Sequence, residues 1–248
     1  MPDAPVSGQG TAVGFYGKLP CAGDFVTRAL PTTFVAPWDG WLQQALVASR
    51  AKLGDRWTET YLESPIWRFA LQPQTCGPQA WAGVLMPSVD RAGRYFPLTL
   101  AAAIPPTAST LLTVAGAEFW YTWLERIALW ALEPDATLET FEAHLTQQPL
   151  EPVPAGEQAR EDWNVALQLA RWWQQPGRPL ALRVTALETL PAVSEFAAAH
   201  LMETQGHGRS LWWMRDDRSG ATTLRGWQGL PPPAEYTVML HTASGHVT

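Results

Sequence analysis

Asp90, Arg91 and Arg94 form the most chemically suggestive cluster in this sequence. They lie within GVLMPSVDRAGRYFPLTLAAAI, residues 83–104, between two apolar runs. Guanidinium groups on a rigid turn make a fork suited to gripping a carboxylate. The same residues also spell a turn, with Asp favoured at its first position and Gly93 at the left-handed one. The pattern recurs as Asp217-Arg218-Ser219-Gly220 between two later strand-like runs, which favours turn chemistry first. A second unusual stretch is GKLPCAGDFV, residues 17–26, carrying Lys18 and Asp24. It is not a phosphate-binding P-loop, because Leu19 follows the Gly-Lys pair where Ser or Thr is required.

None of the arrangements needed for catalysis is spelled out. Ser88-Val89-Asp90 lacks the glycines of a nucleophile elbow. The histidines, at 144, 200, 207, 241 and 246, carry no local signature. His200 and His207 have no cysteine or acid at metal-ligand spacing. Asp24 and Asp90 would make a paired-carboxylate site only if neither were used as a turn or cap residue. The reading is therefore a protein with no catalytic residue, no metal and no cofactor.

Composition narrows the partners. The chain has 248 residues, of which 46% are hydrophobic and 16% charged, enough to bury a sizeable core. Its net charge is −6 and no basic stripe occurs, so nucleic acid is an unsuitable partner. Only Lys18 and Lys52 are lysines among 17 basic residues, the rest being arginine. Two cysteines cannot build a disulfide framework. The start, MPDAPVSGQG, lacks the basic and apolar regions of a signal peptide, and no apolar run is long enough to span a bilayer. A cytoplasmic protein with no membrane insertion is expected. Its 14 tryptophans are expected mostly in the core, with a few available for a binding face.

The elements that must position these residues follow from periodicity. AVGFYGKLP reads as a short strand closed by Gly17 and Pro20. Phe34, Trp38, Trp41, Leu42, Ala45 and Leu46 share one helix face over 34–53. A short helix over 56–63 stops at Pro65, and strands are expected at 66–71, 81–89 and 95–104. A helix over 118–132 aligns Phe119, Trp123, Ile127, Trp130 and Ala131. Thr137 caps a helix to Gln148, and a Pro-rich connector covers 149–157. The helix over 161–175 turns Trp163, Ala166, Leu167, Ala170 and Trp173 one way. A strand over 179–187, a helix over 192–202, a hairpin of 210–216 with 221–227, and a last proline-started helix complete the chain. Hairpins mixed with amphipathic helices predict an α/β fold: a mixed, largely antiparallel sheet with helices on both faces, a three-layer α/β/α sandwich. A flexible tail over 1–11 and a single domain over 12–248 are expected.

Four stretches taken together carry a resemblance. GFYGKLPCAGDFV (14–26), SPIWRFAL (64–71), GVLMPSVDRAGRYFPLTLA (83–101) and SLWW with a later GLP (210–213 and 229–231) resemble the TagF family of type VI secretion-associated accessory proteins. The match runs from about Val13 to Pro231, and Cys21-Ala22 falls in a variable part of the first motif. Motif positions include Lys18, Leu19, Pro20, Gly23, Asp24, Phe25, Trp67, Pro87, Ser88, Asp90, Arg91, Gly93, Arg94, Trp212 and Trp213. The resemblance implies a three-layer sandwich and a cytoplasmic, post-translational repressor of type VI secretion that binds the system's forkhead-associated scaffold. The expected binding face is the Gly17–Asp24 loop with the Asp90–Arg94 turn, anchored by Trp212 or Trp213. Its candidate residues are Lys18, Asp24, Asp90, Arg91, Arg94, Trp212 and Trp213. Two other readings stay open: a structural or assembly subunit of the apparatus, and a hydrolase. Trp67 and Phe69 are expected in the core.

Overall fold

The computed structural model describes residues 11–152, 160–174, 190–215 and 220–241. The predicted strand over 179–187 and the turn at Asp217–Ser219 lie outside the described residues. So do residues 1–10, and Thr11 is bridged to Leu150.

The strand elements are β1 (Gly14–Gly17), β2 (Val26–Arg28), β3 (Trp67–Leu71), β4 (Ala80–Met86), β5 (Leu98–Ile104), β6 (Arg209–Arg215) and β7 (Thr222–Gln228). They form one sheet in the order β2-β1-β5-β4-β3-β6-β7, with every neighbouring pair antiparallel. The central strands β3, β4 and β5 are buried almost throughout, so their apolar residues run without alternation.

Helices cover both faces, as the fold class requires. On one face lie α1 (Thr32–Leu53), α2 (Trp57–Leu62) and α8 (Pro233–Met239). The expected stripe of α1, from Phe34 to Leu46, is buried against Phe69, Trp81, Trp212 and their neighbours. Its indoles are also satisfied as donors. Trp38 Nε1 donates to Thr99 Oγ1 at 2.8 Å, and Trp41 Nε1 donates to the Pro231 carbonyl at 2.7 Å. Trp67 and Phe69 are core, as expected.

The other face carries α4 (Glu118–Trp130) and α5 (Leu138–Leu145), packed on Phe15, Val84, Leu98 and Leu100. Thr137 caps α5 through its side chain, as predicted, although the helix ends before Gln148. The face of α4 differs from the expected one. Trp120, Tyr121, Leu124 and Ala128 are buried, while Phe119 is 73% exposed and Trp123, Ile127 and Trp130 are half-buried. Two adjacent stripes of this helix are apolar, and the one carrying Tyr121 fits the sheet, where its hydroxyl donates to the Phe69 carbonyl at 3.0 Å. Arg68 of β3 fastens α4 further, donating to Glu125 at 2.6 Å and to Glu118 at 2.7 Å.

Two further elements were not expected: β2 and α3 (Thr110–Gly116), the latter capped by the Ser109 side chain. Helices α6 (Arg160–Trp173) and α7 (Leu190–Gln205) pair through Ala166, Ala170, Val193 and Ala197. Trp173, predicted on the packed face of α6, is 71% exposed, and the side chain of Trp163 lies outside the described residues.

Candidate functional site

The antiparallel pairing of β1 with β5 sets Tyr16 opposite Thr99, and β4 pairs Met86 with Leu98. The end of β1, the end of β4 and the start of β5 therefore emerge at one end of the sheet. The loop after β1 and the turn between β4 and β5 are brought together there.

Backbone and side chains then stitch the two loops. The Arg91 N–H donates to the Ala22 carbonyl at 3.0 Å, and Ser88 Oγ donates to the Lys18 carbonyl at 2.7 Å. Arg94 Nη2 reaches the Gly23 carbonyl at 2.7 Å. From beneath, the Tyr61 hydroxyl of α2 both accepts from the Ser88 N–H and donates to its carbonyl, each at 2.9 Å.

Asp90 is the hub. Its Oδ1 accepts from the Ala92 and Arg94 N–H groups, both at 2.9 Å, which closes the turn. Its Oδ2 accepts from Arg94 Nε at 2.7 Å and pairs with Lys18 Nζ at 2.9 Å. The stretch is thus both a turn and the centre of an ion-pair cluster. Burial of this carboxyl acts to raise its pKa. The Lys18 hydrogen bond, with the backbone and side-chain donors of Arg94, overcomes that and holds it well below the usual carboxylate range.

A pH dependence follows, with a definite sign. The folded pKa lies below the unfolded value of about 3.9, so the folded state binds the proton more weakly. The contribution is complete above that pH and is lost as pH falls through it toward the folded value. The stability gap between the wild type and Asp90→Asn should therefore be constant above about pH 5 and narrow below about pH 4. Thermal melts of both proteins across that range check it. A gap that widened on acidification would refute the assigned pairing.

The candidate residues divide by exposure. Lys18 and Asp90 are buried, so they organise the loops from within and cannot touch a partner. Arg91, Arg94 and Asp24 are exposed on the rim. Phe25, a motif position absent from the candidate set, is 45% exposed beside them. Its ring stacks on Tyr16 at 6.0 Å, meets Phe96 edge-on at 4.7 Å, and lies 5.0 Å from Lys18 Nζ. Tyr16 is itself fixed by its hydroxyl, which donates to Asp39 at 2.5 Å. No local signal marked Phe25, because its neighbours Tyr16 and Phe96 come from other elements.

The expected tryptophan anchor does not form. Trp212 is fully buried, stacked on Trp38. Alternation along β6 turns Trp213 to the opposite face, where it is half-buried against Tyr121 at 5.0 Å. Strands β3 and β4 also separate β6 from the loop-bearing β5. The Ser88 hydroxyl is committed to Lys18, and burial pushes the Cys76 thiol up to about 12. Among the described residues, no group of three or more His, Cys, Asp or Glu is placed to hold a metal. No helix among them is long and apolar enough to cross a membrane.

Comparisons with known proteins agree with the motif reading. A family model described as the TagF N-terminal domain, type VI secretion system-associated, matches residues 14–148. The crystal structure of PA0076 from Pseudomonas aeruginosa PAO1 is similar with a TM-score of 0.73. It is 41% identical in sequence, over 96% of this chain and 97% of that one. No curated protein matches. The family match takes in both loops of the cluster, and the chain belongs to the TagF family of type VI secretion-associated proteins.

Proposed function

We propose that this protein is a non-enzymatic, cytoplasmic regulator that represses type VI secretion after translation by binding a component of the system, the forkhead-associated scaffold. The observation that carries the reading is its membership of a type VI secretion-associated family. The architecture of the loop cluster supports a binding role over a chemical one. The groups that would do acid–base or nucleophilic work, Asp90, Lys18 and Ser88, are buried and spent on one another and on the backbone. The exposed groups above them are arginines and a phenylalanine ring, residue types enriched at the cores of protein interfaces.

The test is a pull-down from type VI-active cells with the tagged protein, while export of the tube protein is followed. Recovery of the scaffold, with secretion falling as this protein rises, is the expected result. Co-purification in many copies with the secretion particle would instead indicate a structural subunit. Secretion that ignores the protein's level would overturn repression.

A further inference from the structure

We infer that the rim formed by Phe25, Arg91 and Arg94 is the docking surface, and that it takes an acidic polypeptide segment, an apolar side chain flanked by carboxylates. The inference rests on the proposed binding role and adds the place and the chemistry of the partner.

Three observations converge on this rim. First, Arg91 has an unspent guanidinium: its backbone N–H is fixed on Ala22, yet its side chain forms no hydrogen bond or ion pair among the described residues. Second, Arg94 is held rigidly by Asp90 and the Gly23 carbonyl while its side chain stays 57% exposed. A preorganised guanidinium loses little freedom when it meets a carboxylate. Third, Phe25 remains 45% exposed although three neighbours clamp it, so it offers a fixed apolar surface beside the Lys18–Asp90–Arg94 cluster. Asp24 is the exposed acid of the segment, and its Oδ1 accepts from the Phe25 N–H at 2.8 Å. Lys18, Arg91 and Arg94 set against Asp24 and Asp90 leave this cluster one net positive charge on a chain of net charge −6. Charge complementarity at such a spot selects carboxylates against the acidic background.

The alternative surface is the outer side of α4, where Phe119 and Leu129 are exposed, with Leu132 just beyond its end, but nothing in the structure indicates what covers it. Arg126, exposed on the same helix, therefore serves as the comparison site.

The experiment uses the full chain and the purified forkhead-associated scaffold as probe, with Arg91→Glu, Phe25→Ala and Arg126→Glu, and the same variants are scored for repression of tube-protein export. Binding roughly tenfold or more weaker for Arg91→Glu and for Phe25→Ala, with Arg126→Glu unchanged, Arg91→Glu melting with the wild type and Phe25→Ala still unfolding cooperatively, is expected. Wild-type affinity should fall with added salt, and less steeply for Arg91→Glu. Wild-type binding that survives both rim substitutions, or is lost in Arg126→Glu, overturns the surface while leaving the regulatory reading intact. If the scaffold does not bind the wild type but both rim variants fail to repress, the surface stands and the scaffold is the wrong partner. Neither binding nor repression by the wild type overturns both. A requirement for partner phosphorylation in place of carboxylates overturns the acidic-segment assignment.

Discussion

Trp212→Ala is expected to lower stability by about 3–5 kcal/mol, as for other large aromatic truncations in a core. The indole lies wholly inside, stacked at 5.7 Å and 4° on Trp38 and tilted against Phe69 at 5.3 Å and Trp41 at 5.4 Å. Its Nε1 has no hydrogen-bond partner among the described residues, so the loss is one of packing and of the cavity left behind. The cavity would open beneath α1, and the ring cluster there draws on α1, β3 and β6 at once, which limits collapse into the gap. Trp213→Ala should cost less, because that ring is half-buried against Tyr121. Denaturant or thermal melts of both variants check the order. A stable Trp212→Ala protein that has lost its partner would show instead that the indole is reached from outside.

The case of Trp212 and Trp213 shows where sequence stops being informative. Adjacent tryptophans in a strand must point to opposite faces, so they could not serve one anchor together. Which of the two meets the thicker layer depends on what covers each face. For α1 the burial of one stripe was legible, since its apolar residues leave no competing stripe. For α4 two neighbouring stripes both satisfy the period, and the sheet chose the one whose tyrosine reaches the Phe69 carbonyl. Element α3 is seven residues of TLLTVAG, rich in β-branched types with weak helix propensity. Its start is fixed from outside by Glu203 of α7, which accepts from Ser109 Oγ at 2.6 Å and from the Leu111 N–H at 3.0 Å. At the candidate site, the residue types of both loops were readable and the turn chemistry of Asp90–Gly93 was correct. What spacing cannot give is the Lys18–Asp90 pair, which exists only because β1 crosses to β5 in the sheet. Phe25 was named as a motif position, but its exposure beside this cluster was hidden for the same reason.

Gly17→Ala is the second large effect, and it acts on the site through the backbone. Gly17 closes β1 at φ +137°, a conformation that side-chain-bearing residues rarely adopt. A methyl there would fall on the Pro97 carbonyl and within 3.0 Å of the Leu98 Cα, backbone atoms at the start of a buried strand. Neither can yield without separating β1 from β5. The expected cost is roughly 2–4 kcal/mol, and the strand that shifts is the one that delivers Lys18 to Asp90. Repression should be lost along with stability. Gly93→Ala provides the contrast within the same cluster. Its φ is +76°, but an added methyl meets nothing within 4 Å, so only the backbone preference is lost, about 1 kcal/mol. Melting temperature and tube-protein export, measured together for the two variants, separate crowding from conformational preference. Equal, mild effects would mean that β1 can move away from β5 freely, and the loop pair would then lack the rigidity that holds Phe25, Arg91 and Arg94 in one surface.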